Sequence, residues 1–313
     1  MRGTGRDPQP SRGLPTLILM DNRDAVSAFL RSRRERITPE QAGLPAYGQR
    51  RVPGLRRGEV AALAGVSVEY YTRLERGSLR GVSDSVLDAL AQALRLDTTE
   101  RMYLYDLARA AGPAPGALSR RREVRPAVRP SVARIVEGMP GMAACVMNNR
   151  LDVLAANPLG RALYSQMYAD SSCGANIARF AFFNPAARRF YADWERMARF
   201  AVGALRVEAG KSPYDRELSN LIGELSTRSD AFRVMWGSHD VHVFRTSTKR
   251  LNHPLVGDLE LDQETMSLPD GSGLSVVVYS APPGTAAEDG LKLLASWSAT
   301  TGREQDARST SEP

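Results

Sequence analysis

The chain has 313 residues, 42% of them hydrophobic and 25% charged, the balance of a folded globular protein long enough for two domains. No stretch approaches the roughly 20 apolar residues that span a bilayer, the early apolar run at residues 17–20 is too short for a signal-peptide core, and two cysteines, Cys145 and Cys173, are too few for a disulfide scaffold, so a cytoplasmic protein with two buried thiols is expected. The net charge of +7 is uneven: residues 1–136 hold 24 Arg against 14 acidic residues, a net of +10, while the remainder has a net of −3, which predicts that the front of the chain meets a polyanion.

Residues 1–21 are rich in Gly, Pro and Arg without an apolar period, and a disordered tail is expected there. Met20, just before the first helical pattern, is a candidate start. Val26, Phe29 and Leu30 recur at helical spacing, which predicts an amphipathic helix over residues 23–36 with Arg31, Arg33, Arg34 and Arg36 on its other side. Thr38-Pro39-Glu40 reads as a second helix start, with a hydroxyl cap and proline at the first position. The Gly- and Pro-rich residues 43–54 read as a loop carrying Arg50 and Arg51.

Residues 57–64 predict a short helix, Gly65-Val66 a tight turn, and Ser67 the cap of a second helix that Gly77 stops. Ala61 and Ala64 are small enough for two helices to meet at a sharp angle, and Gly65 permits the turn between them. Val66, Tyr71 and Leu74 face inward, which leaves Val68, Glu69 and Arg73 pointing out from the half of the helix that would enter a major groove. Arg73 has the reach for a bidentate contact to guanine, Glu69 accepts from cytosine N4, and Val68 meets a thymine methyl. Tyr70, Arg57, Arg50 and Arg51 are placed for phosphates. Glu69 and Arg73 are also spaced for an i,i+4 surface ion pair. Two further helices are predicted, one capped by Ser83 and one starting at Thr98. Residues 113–130, with four prolines and Arg120-Arg121-Arg122, read as a linker.

Beyond it the pattern mixes strands and helices. Strands are predicted at residues 142–147, 151–155, 241–244, 256–261 and 274–279, with a turn at Asn148-Asn149-Arg150. Helices are predicted at 185–208, 213–225, 230–236 and 287–297, and a polar disordered tail at 301–313. No phosphate loop, nucleophile elbow or metalloprotease histidine pair is present. His239, His242 and His253 are the only histidines; the first two lie three residues apart, so a metal-dependent hydrolase built on these three is the alternative function. Aromatic residues crowd this half, which predicts a large core with room for an apolar pocket.

The run Arg51-Val-Pro-Gly-Leu-Arg-Arg-Gly-Glu-Val-Ala-Ala-Leu-Ala-Gly-Val-Ser-Val-Glu-Tyr-Tyr-Thr-Arg-Leu-Glu-Arg-Gly77, within residues 29–109, resembles the xenobiotic-response-element-type helix-turn-helix domain, in particular an actinobacterial branch of it. Gly58 departs from the Glu usual in that branch. Asn184-Pro185-Ala186-Ala187-Arg188, Ala192-Asp193-Trp194-Glu195, Pro213-Tyr214-Asp215, Ser229-Asp230-Ala231-Phe232-Arg233, Trp236, His239-Asp240-Val241 and His253-Pro254-Leu255 recur in the order of the ligand-binding domain of MmyB-like regulators, which the chain resembles over nearly its whole length. The resemblance implies a five-helix, all-α helix-turn-helix domain over residues 22–112 and an α+β PAS-like domain, an antiparallel sheet with packed helices, over 131–300. It implies a sequence-specific transcription regulator, not an enzyme, that uses no cofactor and whose partners are double-stranded DNA and a small apolar, fatty-acid-like effector. It places Trp194, Trp236, His239 and Arg206 near the effector. Ser67, Val68, Glu69, Tyr70, Arg73, Arg57, Arg50 and Arg51 are the expected DNA-binding set. A homodimer is expected, because one short helix reads too few bases alone.

Overall fold

The computed structural model describes residues 22–44, 54–112, 127–212, 215–238 and 246–309, the side chains of 246, 247 and 301–309 excepted. Five helices form the first domain: α1 (Asn22–Arg36), α2 (Arg57–Leu63), α3 (Val68–Glu75), α4 (Asp84–Ala93) and α5 (Thr98–Ala110). Phe29, Leu30, Val60, Tyr71, Leu74 and Leu104 meet in its core, where the Phe29 ring stands edge-on to Tyr103 at 5.1 Å. α5 starts at Thr98 as expected, and Asp97 caps it: its carboxylate accepts from Glu100 N at 2.8 Å, and Glu100 returns an acceptor to Asp97 N at 3.1 Å. The helix start expected at Thr38 yields only turns over residues 39–43, because Gly43 adopts a φ of 74° and Leu44 N folds back onto Pro39 O at 2.8 Å.

The second domain opens with α6 (Pro130–Glu137), which begins at the last residue of what read as linker, and continues with β1 (Ala143–Asn148), β2 (Val153–Ala156), α7 (Pro158–Leu163), α8 (Ser165–Tyr168), α9 (Ile177–Phe183), α10 (Ala187–Phe190), α11 (Trp194–Lys211), α12 (Arg216–Arg228), α13 (Asp230–Gly237), β3 (Thr246–His253), β4 (Gly257–Ser267), β5 (Leu274–Ser280) and α14 (Ala286–Ser309). The strands pair antiparallel in the order β2-β1-β5-β4-β3, the PAS-like sheet. Val132 and Val136 of α6 pack on Val146 and Val276 of one sheet face. The other face meets the remaining helices, with α11 across the sheet.

Two expectations fail here for physical reasons. The single helix expected over 185–208 breaks after Phe190, because Tyr191 bridges to Leu251 of β3, Ala192 N donates to Arg250 O at 3.1 Å, and Asp193 starts a new helix by accepting from Arg196 N at 3.0 Å. The disordered tail expected from residue 301 is helical to Ser309. Gly302 costs a helix interior about 1 kcal/mol, and the helix formers that follow carry the turn onward. The strand expected at 241–244 lies outside the described residues, as does the tail expected at 1–21. Cys145 and Cys173 are buried free thiols, and no described helix is long and apolar enough to cross a membrane.

The two domains share α11. Val207 reaches the helical core of the first domain, and Lys211 Nζ lies 3.7 Å from Asp106 of α5. A side chain at Gly210 would place its Cβ 2.7 Å from the Tyr103 ring, so only glycine lets these helices approach so closely.

Candidate nucleic-acid interface and effector cavity

Ser67 caps the helix that carries the candidate interface. Its Oγ accepts from Tyr70 N at 3.0 Å and its backbone is extended, so α3 starts abruptly after the Gly65 turn (φ 64°). Tyr71 and Leu74 anchor the helix in the core. On its opposite side Val68 is 45% exposed, and Glu69 and Arg73 are exposed as well. Those residues, with Thr72, Arg76 and Ser78, border an open concavity of about 390 Å³. Glu69 makes no ion pair with Arg73; instead the Arg73 guanidinium lies 4.8 Å from the centroid of the Tyr70 ring. The carboxylate of Glu69 is thereby left to solvent.

Beneath this surface a buried carboxylate orders the helices. Glu75, 2% exposed, accepts from Arg34 Nε at 3.1 Å and Nη2 at 3.0 Å, and from Arg57 Nε at 3.2 Å and Nη2 at 3.3 Å. Arg34 also donates to Leu55 O at 2.9 Å. Burial alone would favour the neutral acid, but the hydrogen bonds and charges of Arg34 and Arg57 outweigh it and hold the Glu75 carboxyl below its ordinary range. Arg57 is thus half exposed at the rim while its fork is engaged from within. Arg50 and Arg51 lie outside the described residues.

In the second domain a cavity of about 210 Å³ lies between the sheet and α11. Its roof is the stripe Met197, Phe200, Ala204 and Val207, spaced three or four apart on one side of the helix. Its floor is unusual for an inward sheet face: Lys249, Gln263, Thr265 and Ser275 interrupt the apolar alternation. Glu208 closes the end near the first domain, where burial raises its pKa against a hydrogen bond from Ser212.

Three of the residues expected at an effector, Trp194, Trp236 and Arg206, do not line this cavity. Trp194 donates from Nε1 to Ala181 O at 2.8 Å and lies under the Arg188 guanidinium at 3.8 Å. Trp236 stacks on Phe232 at 5.5 Å, with the Arg206 guanidinium 4.3 Å from the Trp236 ring and donating to the Trp236 carbonyl. None of the three lines the cavity. Arg206 falls roughly 200° round the helix from Ala204, on the side that faces Tyr103 of α5, whose hydroxyl feels the Arg206 charge.

His239 and His242 lie outside the described residues. His253 is buried with both ring nitrogens engaged: Nε2 meets Ala162 O at 3.2 Å, and Nδ1 accepts from Leu255 N at 3.3 Å. The ring is therefore a structural cross-link in this arrangement, and burial lowers its pKa. Among the described residues no group of three His, Cys, Asp or Glu could hold a metal ion.

Sequence reasoning missed Lys249 because its strand was missed. The signal was available in principle: a lone lysine two residues before Leu251 shares that residue's inward face. A family model described as MmyB-like transcription regulator ligand binding domain matches residues 128–294, and one described as helix-turn-helix domain matches residues 25–104. The first spans the cavity and the second the exposed face of α3. No curated protein matches.

Proposed function

We propose, from the premise that this chain belongs to the MmyB-like transcription regulators and joins a DNA-binding domain to a ligand-binding domain, that α3 reads a specific operator in the cytoplasm and that a small apolar, fatty-acid-like effector in the cavity under α11 controls it. The observation that carries the DNA half is the face of α3, with Val68, Glu69 and Arg73 exposed and, among the described residues, no ion-pair partner for the Glu69 carboxylate. Arg73 takes guanine and Glu69 a cytosine amine, while Val68 touches a thymine methyl. Ser67, Tyr70, Arg57, Arg50 and Arg51 hold the sugar-phosphate chain. Two copies reading two half-sites give the length of sequence that one short helix lacks.

Control is carried by α11, which has a cavity face and a face on α5. An occupant pressing on Phe200 and Ala204 moves the rod as a whole, and the Gly210–Tyr103 contact passes the displacement to the DNA-binding domain. Such an effector shifts the equilibrium only by its difference in affinity for the two positions of α11.

Arg73→Ala is expected to cost about 1–3 kcal/mol of operator affinity and to relax preference at one base position. Gel shifts on an operator selected from random DNA check this. Unchanged affinity with unchanged base preference rejects Arg73 as a reading residue.

A further inference from the structure

Helix α5 has a second face suited to packing, turned away from its own core. Tyr103, Leu104 and Leu107 are buried toward α1, α4 and α11. On the far side Thr98, Met102, Tyr105 and Arg109 recur at spacings of four, three and four, which holds them within about 60° of one another around the axis. Met102 is 46% exposed there. Beside it the Tyr105 ring is half-buried, its hydroxyl held by Asp88 and by Asp84 O at 3.2 Å. These residues border an open groove of about 860 Å³ that Lys211 of α11 also lines. Arg101 and Asp106 flank the stripe on opposite sides, each about 40° beyond it.

We propose that a second copy of this chain docks in this groove, the two α5 helices lying side by side and parallel about a two-fold axis. This rests on the two-copy reading above and goes further: it names the surface and the direction in which the copies pair. The stripe has the four-three spacing of a coiled-coil seam, in which each residue meets its own counterpart, so Met102 packs on the partner's Met102 and Tyr105 on the partner's Tyr105. In that arrangement Arg101 meets the partner's Asp106 at both flanks. Antiparallel helices would set each flank against its own kind, arginine on arginine and aspartate on aspartate, so the charge pattern selects the parallel form. The Arg101–Asp88 pair at 2.6 Å is half exposed at both ends, an interaction weak enough to be exchanged. The groove shares no lining residue with the concavity of α3, so a docked copy leaves both reading faces open. Helix α5 is about 20 Å long, and a seam of one such helix from each copy falls in the small class of interfaces, below about 1,200 Å². Association is therefore weak in free solution and tightens when an operator holds both copies at once.

The test is oxidative cross-linking of the full chain on an operator selected from random DNA, read on a non-reducing gel. Cys145 and Cys173 are buried, so the wild type gives the background. Met102→Cys is expected to cross-link at least about tenfold faster than Ile135→Cys, whose site on α6 is equally open to random collision, because docking raises the local concentration of the paired thiols. In sedimentation, Met102→Glu is expected to weaken self-association at least about tenfold, and since the site is exposed its melting curve should match wild type. Cross-linking no faster than in Ile135→Cys, or a dimer unchanged in Met102→Glu, overturns this surface and leaves the two-copy reading standing. A wild type that sediments as a monomer both free and on the operator overturns both.

Discussion

Glu75→Gln is expected to destabilise the DNA-binding domain by about 3–5 kcal/mol, the cost of removing one partner from a buried ion pair. The substitution keeps the shape of the side chain and removes its charge. Among the described residues Arg34 then faces Leu55 O, the half-exposed Glu35 and a neutral amide in place of the carboxylate, and Arg57 loses the charge that draws it to α3. The loss should be seen in urea unfolding as an earlier midpoint for the helical domain. A change under about 0.5 kcal/mol, the scatter of ordinary surface substitutions, would mean that the cluster is solvated and contributes little. The double variant Arg34→Met/Glu75→Met is expected to recover most of the loss, since apolar residues of similar volume often replace a buried pair at little cost. Acidity offers an independent check. The Glu75 pKa is lower in the folded state than in the unfolded chain, so its contribution is complete above the unfolded pKa and is lost as pH falls through the folded one. Glu75→Gln should flatten the acid limb of the stability curve and leave the neutral limb parallel to wild type.

Gly77→Ala comes next in size. Gly77 ends the recognition helix at a φ of 94°, and an added Cβ would lie 2.5 Å from Arg23 O and 2.7 Å from Arg23 Cα of α1. Neither atom is the end of a flexible side chain, so α3 or α1 must move. Overpacking of this kind costs about 1–3 kcal/mol, and a side chain in the left-handed region adds about 1–2 kcal/mol. A loss of about 2–5 kcal/mol in urea unfolding is therefore expected, with weaker operator binding in the fraction that remains folded, because the outward face of α3 no longer sits at its native angle. Stability within about 0.5 kcal/mol of wild type would show that the close approach to Arg23 is relieved at no cost.

The recognition helix was legible in the sequence because its determinants are local. The cap at Ser67, the turn at Gly65 and the stop at Gly77 act within a few residues, and Tyr71 and Leu74 repeat at helical spacing. The exposed set Val68, Glu69 and Arg73 follows from the same phase. The break between α10 and α11 was not legible. Phe190, Trp194 and Met197 continue a helical spacing through it, while the cause of the break is a pairing with Leu251 sixty residues away. The strand β3 escaped for a related reason. Thr-Ser-Thr-Lys-Arg has no apolar alternation of its own, and it becomes a strand by pairing along β4. The cavity under α11 was hidden for the same reason. Aromatic mass drew attention to Trp194 and Trp236, but those rings are satisfied by Phe182, Phe232 and two arginines. What distinguishes the cavity is a cation opposite Leu261 on a floor that also carries Gln263 and Thr265, and that is visible only once the register of β3 is known.

The double duty of α11 also limits how this chain can change length. One extra residue between Phe200 and Gly210 would turn everything beyond it by about 100°. Either the roof stripe would roll off the sheet, or a residue with a Cβ would replace Gly210 against Tyr103. Indels among relatives should therefore gather in the connections on either side of α11 and leave the stretch from Phe200 to Gly210 at constant length.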